Sequence, residues 1–384
     1  MSDLAGNKQE RFHFLDGLRG IAALMIFFHH AFTANIVHFL DGVGMPGTGY
    51  YMQHLTQSGV DLFFVLSGVV LLRPYIRRQR PFHVVDYFKR RAKRIYPPYF
   101  FALLFAAFVV WENNAFPTWY NVSGMRAQFS WLETFKEAFI VNRDGVYYNL
   151  AWWSLGIEVM FYVIAPLVLF VFPRRHNVSD VKMTVVIVTT VVLATWLQFF
   201  CTDHFNAVYS LTYDVANVGK FLEYPLCFLM GVFLAAKDFN MKHGLYFIFF
   251  GLVLLACGWY HFSFMQQEPH FYPVLHSGYA LIYAGIIVLA FNAQSFKAFL
   301  SRPLMIWLGE RSYSLFLIHF SVFYLTDNMV SHFIDGRNVY YGIWTRLLGI
   351  PLAFFVSLLL FWFVERRQAR GLVTANAFWP WQMS

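Results

Sequence analysis

Apolar residues in this chain run in long unbroken blocks. They fall at residues 14–39, 58–73, 95–111, 148–172, 181–200, 218–236, 244–260, 272–291, 303–326 and 341–363. A helix needs about 20 residues to cross about 30 Å of hydrocarbon. Continuous rather than alternating apolarity argues against barrel strands. The pattern therefore predicts an all-α polytopic membrane protein, a bundle of about ten transmembrane helices in which the second and third blocks are short. Residues 1–10 read as a cytoplasmic N-terminal tail, 11–365 as one transmembrane domain and 366–384 as a cytoplasmic C-terminal tail.

Composition agrees with lipid as the main solvent. Of 384 residues, 58% are hydrophobic, 21% aromatic and only 13% charged, and mean hydropathy is +0.49. Soluble domains carry about 25% charged residues, so an ordinary cytosolic enzyme, a secreted disulfide scaffold and a disordered regulator are excluded. The net charge of +8 has two readings, nucleic acid or the positive-inside rule, and location decides between them. With both termini cytoplasmic, 21 of the Lys and Arg residues fall in inside segments and 4 (Arg126, Lys136, Arg143 and Arg337) in outside ones. That asymmetry accounts for the basic charge without nucleic acid. No leader peptide is expected, because the first block carries Asp16, Arg19, His29 and His30. Cys201, Cys227 and Cys257 form no CxxC and read as packed thiols. In the outer connection 112–147 and just after it, Trp119, Tyr120, Trp131, Tyr147 and Tyr148 read as interfacial anchors or as rings for stacking on a sugar.

Ionisable groups inside membrane helices are costly, and they mark function or pairing. Arg19 and His30 are 11 residues apart, which returns to the same helix face about 16 Å deeper. One stripe can hold an anionic ligand at one end and act on its reactive group at the other; the plain alternative is a snorkelling Arg and a hydrogen-bonded His. His29 points about 100° away and reads as structural. Asp61 and Arg73 bracket the second block around Ser67 and Gly68, and Arg90, Arg91, Lys93 and Arg94 precede the third. Such cations can hold phosphates, set topology or bind anionic lipid. Glu158, deep in the fourth block, needs a partner. In the ninth, Ser312 and His319 share a face, beside Arg311; Tyr313 and Phe316 read as packing residues.

These phrases together resemble the acyltransferase-3 family of integral membrane acyltransferases. The opening LDGLRG with Arg19 and His30 is similar to the family's first phrase. GVDLFFVLSG stands at 59–68, RxxR as Arg91 and Arg94, WSLxxE as Trp153 to Glu158, and SYxxYLxH as Ser312 to His319, with Phe316 in place of the usual Tyr. The resemblance runs from residue 11 to about 365. It implies a membrane O-acyltransferase of the polysaccharide O-acetyltransferase type in a bacterial inner membrane. The donor it implies is cytoplasmic acyl-CoA, most often acetyl-CoA. The acceptor is a hydroxyl of a surface or secreted glycan or of a lipid-linked saccharide, with other polysaccharide-assembly proteins as possible partners. Many relatives carry an attached extracytoplasmic hydrolase-like domain. With the chain ending at Ser384, delivery of the acyl group would fall to this domain or to a partner.

On that resemblance the donor's phosphates meet Arg91 and Arg94, with Arg19 and Arg73 nearby. The thioester reaches His30, which acts as general base or takes the acyl group first. Glu158 orients His30 or binds the acceptor, and His319 does either or stabilises the oxyanion. No metal is expected, and neither a nucleotide-binding loop nor a G-x-S-x-G elbow is present. The alternative is a transporter or flippase for an anionic or lipid-linked substrate, for which buried Arg, His and Glu are equally natural; no inverted repeat supports it. A non-enzymatic scaffold leaves His30 and Glu158 unexplained.

Overall fold

The computed structural model describes residues 12–45, 48–78, 82–115, 129–139, 148–171, 179–205, 221–264, 272–334 and 341–366. Among them the regular structure is helical: α1 (His13–Gly42), α2 (Thr48–Gln57), α3 (Gly59–Arg78), α4 (Val84–Ala115), the short α5 (Trp131–Glu137), a 3-10 turn (Leu150–Trp152), α6 (Trp153–Val171) and α7 (Asp180–Phe205). Then follow α8 (Pro225–Ala236), α9 (Met241–Phe264), α10 (Tyr272–Asn292), α11 (Gln294–Leu300), α12 (Pro303–Ser331) and α13 (Tyr341–Leu360), which ends in a π turn (Phe361–Glu365). Every predicted apolar block coincides with or overlaps a helix.

Among the described residues, 7 helical stretches are long and apolar enough to cross a membrane, and the 12-residue α8 is a shorter apolar helix. The two remaining long helices, α1 and α12, fall outside that set. They carry Asp16, Arg19, His29, His30, Glu310, Arg311 and His319, and they pack extensively on each other. These two helices, with charged and imidazole groups along their length, are thus paired inside the protein, where neighbouring side chains rather than lipid solvate their polar groups. By contrast α7 is largely uncovered and displays Val181, Val185, Val188, Val192 and Trp196.

Two expectations change. The basic stretch before the third block is not all connection, because α4 begins at Val84 and already carries Arg90, Arg91, Lys93 and Arg94. Helical spacing then sorts them. Tyr87, Ile95 and Pro98 are buried, Arg91 and Arg94 are half-buried on the same side, and Lys89 and Lys93 are exposed. Tyr148 is fully buried rather than interfacial: its hydroxyl accepts from Ser130 N (3.2 Å), donates to Ser130 O (3.0 Å) and lies 3.2 Å from Thr134 Oγ1, tying α5 to the start of α6. Trp131 is exposed, while Trp119, Tyr120 and Tyr147 lie outside the described residues.

Small residues let the central helices touch backbone to backbone. A Cβ on Gly309 of α12 would overlap the Asp16 carbonyl of α1. A Cβ on Gly231 of α8 would meet Gly68 Cα of α3 at 2.7 Å. These approaches hold α1 on α12 and α3 on α8, and so fix the walls of the site. At one end of the bundle the basic residues are tied down together. Arg77 grips Asp238 with two bonds of 2.7 and 2.8 Å and donates from Nε to Ala235 O at 2.9 Å. Lys237 pairs with Asp180, and Lys297 lies over the Phe14 ring. The guanidinium beside Asp238 holds its carboxyl below the usual carboxylate range. Of the cysteines, Cys227 is buried, as predicted, but Cys257 is exposed on α9; both are free thiols.

Candidate functional site

A cleft opens between α1, α3, α4, α6 and α12, with a cavity of about 60 Å³. Its basic end is built by Arg19 of α1 with Arg91 and Arg94 of α4. One wall is α3, from Leu71 through Ser67 to Val60, a rise of about 16 Å along the helix. The opposite wall comes from Ser154, Glu158 and Tyr162 of α6 and from Ser312, Tyr313 and Phe316 of α12. Arg91 and Arg94 reach it together because they are one turn apart on the inner face of α4. Arg91 also lies over the Tyr87 and Tyr162 rings, at 5.6 Å from each centroid. Its Nε is buried without a hydrogen-bond partner, so a donor stands ready beside the cavity.

Glu158 accepts a hydrogen bond from Tyr162, one turn later on α6. Tyr162 is thus the partner that Glu158 required, and the carboxylate stands on the cavity wall rather than at His30. It interacts electrostatically with Arg19 across the cavity. Sequence reasoning missed a second carboxylate, Glu365. The π turn at the end of α13 carries it; it accepts from Ser314 of α12 and interacts electrostatically with Arg94 and Arg19. The available signal was an acidic residue closing a 23-residue apolar block just before Arg366 and Arg367. Two carboxylates against three guanidiniums leave the basic end with an excess positive charge, which suits a polyanion.

The histidines form a separate group farther along α1. The His30 ring lies 5.2 Å from that of His319, 4.8 Å from His29 and 4.8 Å from Phe320, between centroids. His319 Nδ1 is 2.9 Å from Leu315 O. A carbonyl only accepts, so Nδ1 carries the proton and Nε2 of the neutral ring holds the lone pair. That Nε2 is buried without a partner. His29 Nδ1 is 3.1 Å from Thr56 Oγ1, which gives it the structural contact expected of it. Phe316 joins the two regions: it lines the cavity, and its ring centroid is 6.3 Å from His319. The cavity's far end is level with α1 just short of His30, since Gly59 sits against Ala22 and Ile26.

Arg73 does not join Arg91 and Arg94. It donates from Nη1 to Leu234 O at 3.3 Å and lies over the Phe12 and Phe291 rings at 5.1 and 5.0 Å. There it borders a small depression with Lys237, Asp238 and Asn292. Arg311 is likewise packed away from the cavity, over Trp307 and Phe361. No cluster of three metal-ligating side chains occurs among the described residues.

No solved structure matches the chain. Curated relatives do. The O-acetyltransferase OatA of Staphylococcus aureus is 25% identical over 95% of this chain and 58% of its own length. The peptidoglycan O-acetyltransferase OatA of Listeria monocytogenes is 24% identical over 91% and 54%, and the putative peptidoglycan O-acetyltransferase YrhL of Bacillus subtilis 24% over 92% and 54%. The chain thus spans little more than half the length of these relatives. The pattern of the acyltransferase-3 family, described as an acyltransferase domain, matches residues 12–366. A multi-pass helical membrane protein with a polar α1–α12 pair at its centre, this chain belongs to the acyltransferase-3 family.

Proposed function

We propose that the protein is an acyl-CoA-dependent O-acyltransferase of a bacterial cytoplasmic membrane, acting on a hydroxyl of an extracytoplasmic glycan or lipid-linked saccharide. The observation that carries this reading is a single cavity whose one end gathers Arg19, Arg91 and Arg94 and whose other end approaches His30 and His319. A donor with phosphates at one end and a thioester at the other has that polarity. The relatives' names favour an acetyl group and a polysaccharide acceptor. One transmembrane domain, residues 11–365, would hold the whole site, leaving tails 1–10 and 366–384.

In the proposed mechanism the arginines bind the donor's phosphates and the pantetheine arm lies along α3. Apolar side chains of α3 and α12 exclude water and suppress thioester hydrolysis. His319 Nε2, with its lone pair exposed by the Leu315 hydrogen bond, takes the proton of the acceptor hydroxyl. The hydroxyl oxygen attacks the thioester carbonyl, the C–S bond breaks, and the thiolate of CoA leaves and takes up a proton. His30 positions the acceptor or accepts the acyl group first as an acyl-imidazole. Glu158 and Glu365 orient the guanidiniums. Arg73 would act outside the cavity, at the basic end of the bundle.

The test is CoA release by the protein in nanodiscs, with labelled acetyl-CoA and a glycan extract or membrane fraction as acceptor. Acceptor-dependent release with label in the glycan, lost in His30→Ala, supports the reading. Flux of an anionic substrate without thioester cleavage would instead establish the transporter alternative.

A further inference from the structure

One side chain of α13 lies across both of the helices that carry the paired imidazoles. Arg346 donates from Nε to the carbonyl of Ala31 at 2.6 Å. Ala31 directly follows His30 on α1, and a helix carbonyl has a second lone pair for such a donor. The Nη1 of the same guanidinium is 3.6 Å from Asp327 Oδ1 of α12. Its Cζ stands over the Phe323 ring, 5.1 Å from the centroid.

These partners lead back to the histidines. His319, Phe323 and Asp327 stand on successive turns of α12. The Phe323 ring meets His319 edge-on at 6.0 Å and Phe27 of α1 at 5.3 Å, and Phe27 lies 5.9 Å from His319. Phe354 of α13 packs on Phe27 from the other side of the bundle joint, at 5.2 Å. Asp327 is fixed in turn by α13. Its carboxylate is hydrogen-bonded to Thr345, and its backbone carbonyl accepts from the Tyr341 hydroxyl at 2.8 Å. A Cβ on Gly349 would meet Thr326 Oγ1 at 2.9 Å, so α13 lies close against α12 here.

The arrangement uses what distinguishes arginine from lysine. One nitrogen serves the carbonyl on α1, another faces the carboxylate on α12, and the planar face covers the ring that borders His319. A lysine ammonium is a single point and cannot meet all three partners. We propose that Arg346 is a positioning residue that sets the spacing and angle of the His30 and His319 rings by locking α1 to α12. It acts through Ala31 and Phe323. Its bearing on catalysis rests on the reading that these imidazoles serve acyl transfer; its bearing on the rings does not. The donor cavity is lined by other residues, so donor binding should not depend on it.

¹⁵N-histidine NMR of the full chain in nanodiscs, at one neutral pH, tests the positioning role. In the wild-type protein His319 should show the Nδ1–H tautomer fixed by Leu315 O. Arg346→Met should shift or split the His30 and His319 ring signals and leave His243, at the start of α9, unchanged. Arg346→Lys should fall between the two. A role in stability alone would lower the unfolding temperature of Arg346→Met with both ring signals unmoved, and that result overturns the proposal. If Arg346→Met does not fold, Arg346→Lys decides: wild-type ring signals overturn the proposal and shifted ones support it. With acetyl-CoA and the glycan extract, kcat of Arg346→Met should fall about 10- to 100-fold, as for a misplaced catalytic group, with KM for acetyl-CoA unchanged. A raised KM with kcat unchanged also overturns it. A wild-type protein that cleaves no acetyl-CoA would count against the proposed activity and leave the ring signals as the test of Arg346.

Discussion

Arg94→Met removes one of three guanidiniums at the cavity's basic end while preserving the length and apolar stem of the side chain. Arg94 lies where Arg19, Tyr162 and Glu365 all interact with it, and it lines the same cavity as Glu158. A charge-assisted hydrogen bond contributes about 1.5–3 kcal/mol, so losing Arg94 should weaken acyl-CoA binding about 10- to 100-fold. At a donor concentration 100 times the wild-type Kd, binding stabilises the wild-type fold by about 2.7 kcal/mol; the variant would keep about 1.4 to 0.4 kcal/mol at the same concentration. Thermal unfolding in nanodiscs with and without acetyl-CoA reads this directly. Arg94→Lys is the informative companion: it keeps the charge but loses the planar fork, and it should fall between the two. Added salt should erode the wild-type shift more than the variant's. An undiminished donor-induced shift in Arg94→Met would refute the assignment of this end to phosphate.

Other consequences are as direct. His319→Gln should lower kcat about 10²- to 10⁴-fold and flatten the pH–rate profile, with the donor-induced thermal shift retained; loss of that shift would mean a binding role instead. Gly231→Ala should destabilise the protein by about 1–3 kcal/mol, because its Cβ collides with α3, whereas Gly42→Ala, with nothing within 4 Å, should be silent in the same unfolding assay. Arg77→Gln should destabilise at neutral pH. The Asp238 carboxyl is held low by Arg77, so the pair's contribution is present above the unfolded pKa and is lost as pH falls through the folded one. The wild-type and variant stabilities should therefore converge in acid, and parallel pH curves would contradict the pairing.

What the sequence made legible follows from periodicity and from cost. Apolar blocks located the helices because lipid demands long continuous apolarity. Intramembrane charge located Arg19, Glu158 and His319 because such groups are rarely idle. The RxxR resemblance singled out Arg91 and Arg94, and the structure, by extending α4 back to Val84, takes them to the cavity on one helix face. The same reasoning could not see who meets whom across the bundle. Arg73 has the composition of a phosphate ligand but faces Phe12 and Phe291, because its place on α3 lies toward α8 and α10 and not toward α4. Glu365 reaches the arginines through a π turn, a departure from helical phase that no periodic argument anticipates. Asp61 and His276 are 215 residues apart in the chain, and only the packing of α3 on α8 and α10 joins them.

The separation of cations from imidazoles is itself the structural argument for how such a site would operate. Arg19 and His30 share one helix face about 16 Å apart, yet Arg19 and Phe316 line the cavity while His319 lies beside Phe316, 6.3 Å between ring centroids. A single continuous polar channel would expose a thioester to water from both faces of the membrane. An aromatic side chain stands at the junction and leaves the two polar regions within one side chain's length of each other. The surrounding groups suit such a junction. His319 is fixed by Leu315 on one nitrogen only, and His30 is bordered by rings at about the same spacing on three sides. The two imidazoles are therefore held in place by helix backbone and aromatic packing. On the proposed mechanism Phe316, which lines the cavity and neighbours His319, is the point at which donor and acceptor would meet.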